Sequence, residues 1–107
     1  MNTIFNQSMF QTLLPNEAIP FIQAHPDCLI LDVRTPEEFN EGHLPQATNI
    51  PVDTIPTRLT EIPEDKTLVI YCLHGSRSKL AANFLSARNY PNVYHIQGGY
   101  ETLRTFL

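Results

Sequence analysis

Tryptophan is absent from this sequence, cysteine occurs twice and glycine four times, and the lysines and arginines form no run. Two cysteines, Cys28 and Cys72, are too few for a disulfide scaffold and cannot make a structural zinc site by themselves. The seven Lys and Arg residues are outnumbered by eleven Asp and Glu, for a net charge of −4. Neutralising phosphates needs a basic face, so no nucleic-acid partner is expected. No stretch approaches the roughly 18 to 20 apolar residues of a membrane span, so no membrane partner is expected either. The opening MNTIFNQSMF has no basic n-region and no long apolar h-region, so no secretory signal is expected. Repeats, low-complexity tracts and linkers are also missing. What is there is 107 residues, 42% hydrophobic, as in one ordinary soluble domain spanning 1–107 in the cytoplasm. A chain of this length buries enough surface to fold without a metal or a disulfide.

Nine prolines fall mainly between apolar segments and act as punctuation. The runs 28–33 (CLILDV) and 67–72 (TLVIYC) are short and almost unbroken in apolarity, which suits central strands of a parallel sheet. Residues 93–96 (VYHI) are a third strand, 47–50 a weaker fourth and 9–13 an edge strand. Thr35-Pro36-Glu37-Glu38 has a capping-box pattern with proline at the first helical position, and Gly42 is placed to stop that short helix. Leu80, Ala81, Phe84 and Leu85 predict one apolar helical stripe beginning near Ser78 and ending by Asn89 and Pro91. Pro15 opens a helix carrying Ala18, Ile19 and Ile22, with a kink or restart expected at Pro20. Pro56 disturbs a helix over 52–60 in the same way, and 100–106 forms a terminal helix. Alternating strands and helices predict α/β units with right-handed crossovers.

Chemistry concentrates at Tyr71-Cys72-Leu73-His74-Gly75-Ser76-Arg77-Ser78, which joins a buried strand to an amphipathic helix. Ligands bind at the carboxyl ends of parallel strands, where Cys72 falls. A tight turn there aims backbone N–H groups at the sulfur with a helix N-terminus behind them, and such a nest favours the nucleophilic thiolate. Gly75 lets the backbone curl without a Cβ clash. The plainer alternative is a buried structural cysteine before an ordinary turn.

The segments 31–39 (LDVRTPEEF), 41–45 (EGHLP) and 49–51 (NIP) resemble the rhodanese (thiosulfate sulfurtransferase) family. Tyr71-Cys72 with Gly75, Arg77 and Ser78 is similar to that family's active-site loop, and Gly98-Gly99 to its motif after the last strand. The resemblance covers roughly residues 9–106, and several motifs occur in order. It implies a three-layer α/β/α rhodanese-like fold around a parallel sheet of about five strands. It also implies a catalytic Cys72 that takes sulfur from thiosulfate or a similar small anionic donor. The Cys72 persulfide then passes sulfur to a thiol or cyanide acceptor, or to a protein sulfur acceptor. Amides from Leu73, His74, Gly75, Ser76 and Arg77 would bind the anionic persulfide. No metal and no organic cofactor is implied. Gln46 stands where the family often has glycine, and Tyr100 follows the glycine pair without the tryptophan common in the terminal helix. Leu73 and His74 occupy positions that are more basic in some members.

Several other residues admit more than one reading. Arg77 either stabilises a bound anion, pairs with a carboxylate that braces the loop, or is an exposed first-turn arginine. His74 lends positive charge to the pocket rim when protonated, or is an exposed loop histidine. Asp32, Arg34 and Ser78 are expected to support the site, with Arg34 pairing with Glu38 or Glu41; otherwise Asp32 and Arg34 form a surface ion pair. His43 orders a turn, Cys28 is core, and Gly98-Gly99 lets backbone approach the Cys72 loop closely. A metal site from Cys72, His74 and either His43 or His95 has no recognised spacing. The rival functions are a persulfide carrier, a non-catalytic regulatory module and a cysteine phosphatase. Phosphatases of this fold place five residues between Cys and Arg, whereas four separate Cys72 from Arg77.

Overall fold

A computed structural model describes residues 10–107. Met9, the first residue of the expected edge strand, lies outside the described residues. Five strands form one sheet: β1 (Phe10–Leu13), β2 (Leu29–Asp32), β3 (Thr48–Asn49), β4 (Leu68–Tyr71) and β5 (Val93–Ile96). Their order is β1-β5-β4-β2-β3 and every pairing is parallel. The central strand is β4, all four of whose residues are buried, as expected for a strand with neighbours on both edges and layers on both faces.

Side chains alternate across the sheet and build two cores. Leu31, Val33, Leu68, Ile70, Cys72 and Val93 face one side, against Ala81, Ala82 and Leu85 of α3 (Ser76–Ser86). Ile55 and Ile62, in and beside the 3-10 turns Val52–Thr57 and Leu59–Glu61, complete that core. Leu13, Ile30, Val69, Tyr71 and Ile96 face the other side, against Ala18 of α1 (Pro15–Ala24) and Leu103 of α4 (Gly99–Leu103). The result is the three-layer α/β/α arrangement. Among the described residues no helix is long and apolar enough to cross a membrane.

Three local expectations are corrected. The stripe on α3 is right for Ala81 and Leu85, which are buried, and for Phe84, which packs partly buried against the core, but not for Leu80, which is 63% exposed; Ser78, Ala82 and Ser86 are the other buried residues. Helix α1 runs through Pro20 without a restart, because a proline leaves only one backbone carbonyl of the preceding turn without its donor. The segment 52–60 becomes two 3-10 turns rather than an α-helix. The short α2 (Pro36–Glu41) begins as expected: the Glu38 amide donates to Thr35 Oγ1 at 3.2 Å, and the Thr35 amide to Glu38 Oε1 at 3.0 Å.

Candidate active site

Cys72 follows the last residue of β4, and α3 starts four residues later. Gly75, at φ +111°, curls the chain so that amides turn back onto the sulfur. The Gly75 amide donates to Cys72 Sγ at 3.1 Å and the Ser78 amide at 3.2 Å. These are the amides that reach Sγ itself. Gly75 lies within the expected span of 73–77, and the second donor, Ser78, is one residue beyond it. Amides aimed at a sulfur stabilise negative charge there. Cys72 is only 1% exposed.

The other loop residues divide by position. Ser76 and His74 are exposed, and Leu73 is half-buried. The carbonyls of Cys72 and Leu73 accept the amides of Tyr100 (2.8 Å) and Glu101 (3.0 Å). The start of α4 thereby clamps the start of the loop. This contact depends on Gly99, at φ +63°: a Cβ there would lie 2.4 Å from the Leu73 carbonyl carbon. The glycine pair does permit the close approach expected of it.

Arg77 is turned into an ion pair. Its Nη1 and Nη2 donate to Glu38 Oε1 (2.8 Å) and Oε2 (3.0 Å), a forked contact between α3 and α2. Of its three readings, the loop-bracing carboxylate pair is the one observed. Glu38 thus caps its own helix and holds the active-site helix as well. The Arg77 guanidinium, followed by desolvation in the opposite sense, brings the Glu38 carboxyl from 4.5 down to about 2. A carboxylate with a lowered folded-state pKa contributes stability above its unfolded pKa, and that stability is lost as pH falls through the folded one. The stability difference between the native protein and Glu38→Gln should be full at neutral pH. It should shrink as pH falls from about 4.5 to about 2. Urea denaturation across that range checks this; a difference independent of pH would contradict the assignment.

Arg34 does not pair with Glu38 or Glu41 as expected. Its Nε donates to Asp32 Oδ1 at 2.9 Å and its Nη2 to Asp32 Oδ2 at 2.6 Å, with a further bond from Nη2 to the Gly42 carbonyl at 2.7 Å. Asp32 and Arg34 are 0% and 3% exposed, so this is a buried pair and not a surface one. The guanidinium carbon sits 4.6 Å from the Tyr100 ring centroid and 5.6 Å from that of Tyr71. Asp32 at i+2 from Ile30 belongs to the α1/α4 side of the sheet, opposite Cys72. Its partner Arg34 lies over Tyr100, whose amide donates to the Cys72 carbonyl. Tyr71 accepts the Leu44 amide at 3.0 Å, and burial pushes its phenol up from its usual range.

Two residues take roles that the sequence did not assign them. Glu38 was expected to cap its helix and was one of two candidate partners for Arg34; its charged partner is instead Arg77, 39 residues away. His95, on β5, places Nδ1 3.0 Å from Ser78 Oγ; burial, with Lys79 adding to it, lowers its pKa. His43 stacks on Phe39 with centroids 3.7 Å apart and bonds the Leu44 carbonyl through Nδ1, so it orders its turn. His43 and His95 are thus engaged with different partners, and His74 is exposed. No group of three His, Cys, Asp or Glu among the described residues could hold a metal ion.

A cysteine at the carboxyl end of the central strand, enclosed by a strand-to-helix turn, defines a cysteine-centred α/β domain. A family model described as "Rhodanese-like domain" matches residues 18–105, and the chain belongs to that family. It is 37% identical over 99 residues to a sulfurtransferase of Allochromatium vinosum, covering 92% of this chain and 84% of that protein. With the thiosulfate sulfurtransferase GlpE of Tolumonas auensis it shares 33% identity over 97 residues, covering 91% of each. Among solved structures, a rhodanese-related protein from Thermoplasma volcanium superposes with a TM-score of 0.81 at 26% identity, covering 91% of this chain and 93% of that one.

Proposed function

We propose that this chain is a sulfurtransferase in which Cys72 carries sulfane sulfur from a thiosulfate-type donor to a thiol acceptor. The observation that supports it best is the pair of amides, from Gly75 and Ser78, directed at Sγ. The similarity to relatives named sulfurtransferase and thiosulfate sulfurtransferase points the same way.

The Cys72 thiolate attacks the outer sulfur of thiosulfate. The sulfur–sulfur bond of the donor breaks, and sulfite leaves with its electron pair. Cys72 then bears a persulfide anion. An acceptor thiolate attacks the outer sulfur, the new sulfur–sulfur bond forms on the acceptor, and the Cys72 thiolate is regenerated. Covalent catalysis divides one transfer into two displacements, so ping-pong kinetics follow. Because Cys72 is 1% exposed, the outer sulfur, one bond further from the backbone, is the atom an acceptor meets. The loop amides hold the anion, and Arg77 acts through the loop, its fork being occupied by Glu38.

Selectivity for sulfur over phosphorus follows from the four residues between Cys72 and Arg77, a loop with little room for a tetrahedral phosphate. Purified protein should move sulfur from thiosulfate to cyanide or a thiol and barely hydrolyse an aryl phosphate. Efficient phosphate release that requires Cys72, with no sulfur transfer, would overturn the proposal.

A further inference from the structure

We propose that His95 is a positioning residue for the Cys72 loop: its Nδ1–H holds the Ser78 hydroxyl, which in turn holds the Gly75 carbonyl. This inference rests on Cys72 being the sulfur-carrying nucleophile.

Ser78 has three attachments within the loop. Its amide meets the sulfur, its hydroxyl donates to the Gly75 carbonyl at 3.1 Å, and the same oxygen lies 3.0 Å from His95 Nδ1. A serine hydroxyl has one proton. Once that proton is given to Gly75, the contact with His95 requires the ring nitrogen to be the donor. The Nδ1–H tautomer therefore closes the chain His95, Ser78, Gly75. The opposite tautomer would draw the serine proton to itself and release the Gly75 carbonyl, leaving it only the Lys79 amide at 3.1 Å. Gly75 and Ser78 supply both amides that reach Sγ, so the imidazole fixes the geometry of both donors.

The ring is well placed for this. Strand β5 pairs on both edges, with Thr12 and Ile70 in register with His95, and neither is ionisable. The Phe10 ring packs edge-on against the imidazole, with centroids 5.7 Å apart and planes at 84°. His95 is 5% exposed, and the charge acting on it comes from Lys79 on α3. Burial and that positive charge both favour the neutral ring, which has a single N–H to place.

Two measurements test this. Long-range proton–nitrogen correlation spectra of the imidazoles at neutral pH should show His95 protonated at Nδ1 and bare at Nε2. The preference should disappear in Ser78→Ala. Steady-state sulfur transfer is then compared among variants. Asparagine can place an amide N–H where Nδ1 lies, whereas glutamine places its amide nearer the Nε2 position. His95→Gln and His95→Leu should lower kcat about tenfold, with His95→Asn within about threefold of wild type, as for loss and retention of one hydrogen bond. A wild-type Nε2–H tautomer would overturn the proposal, and so would equal kcat values in the Asn and Gln variants. If the native protein transfers no sulfur at all, the function proposed above fails, while the spectra still decide the tautomer and its dependence on Ser78.

Discussion

Replacing Cys72 with serine is expected to abolish sulfur transfer and leave the fold in place. The serine hydroxyl still offers an acceptor to the amides of Gly75 and Ser78, so the loop keeps its hydrogen bonds. It cannot become a persulfide, and without that proposed intermediate neither displacement should occur. Thiosulfate-to-cyanide turnover, alongside circular dichroism, measures both halves of the statement; turnover near that of the native protein would contradict it. Cys28→Ser should keep its activity. Leu29 is in register with Leu68, so Cys28 lies level with Thr67, five residues before Cys72. At the rise of a parallel strand that separates the two cysteines by about 16 Å along the sheet, far beyond the reach of a disulfide.

The largest effect on stability is expected at Arg34. Arg34→Ala leaves the Asp32 carboxylate fully buried without its guanidinium, with only neutral donors, the Arg34 backbone amide and the Tyr71 hydroxyl, beside it. Breaking a buried pair by removing one partner costs about 3–5 kcal/mol, because the charge left behind is uncompensated. The guanidinium also stacks over Tyr100 and holds the Gly42 carbonyl, and both contacts are lost. Arg34→Lys should recover only part of the loss, since an ammonium cannot reproduce the fork. Urea denaturation at neutral pH reports the difference. An Arg34→Ala protein within about 1 kcal/mol of native would instead give this pair the small value usual for exposed ones.

Much of the frame could be read from the sequence because it depends on local patterns. The apolar runs at 28–33 and 67–72 contain β2 and β4, and the Thr35–Glu38 capping box opens α2 as its residues predict. The glycine pair at 98–99 marked a close approach, and the structure supplies the neighbour, the backbone of Leu73. What escaped the sequence was contact between distant segments. Nothing in the spacing of Arg77 and Glu38 indicates that they meet across 39 positions, or that Arg34 turns back to Asp32 two residues away. The local pairing won because both Asp32 and Arg34 are withdrawn from solvent, where an unpaired charge is costly.

The α3 stripe missed at Leu80 for a different reason. Hydrophobicity marks Leu80 as inward, but beside Ala81 and Leu85 the buried face is completed by Ser78, Ala82 and Ser86, small residues that hydrophobicity does not single out. Ser78 is buried because its amide and hydroxyl are both used in the loop. A polar residue at a seam is the kind of local inconsistency expected at a functional site. His95 is hidden in the same way: within VYHI it occupies an ordinary strand position, and only its side-chain geometry joins it to Ser78.

The most direct test of the central claim is the intact mass of the protein after incubation with thiosulfate and removal of excess donor. Gain of one sulfur atom by the native chain and by Cys28→Ser, reversed by a thiol and absent in Cys72→Ser, is the predicted result. An unchanged mass, or an adduct that persists when Cys72 is replaced, would contradict the account.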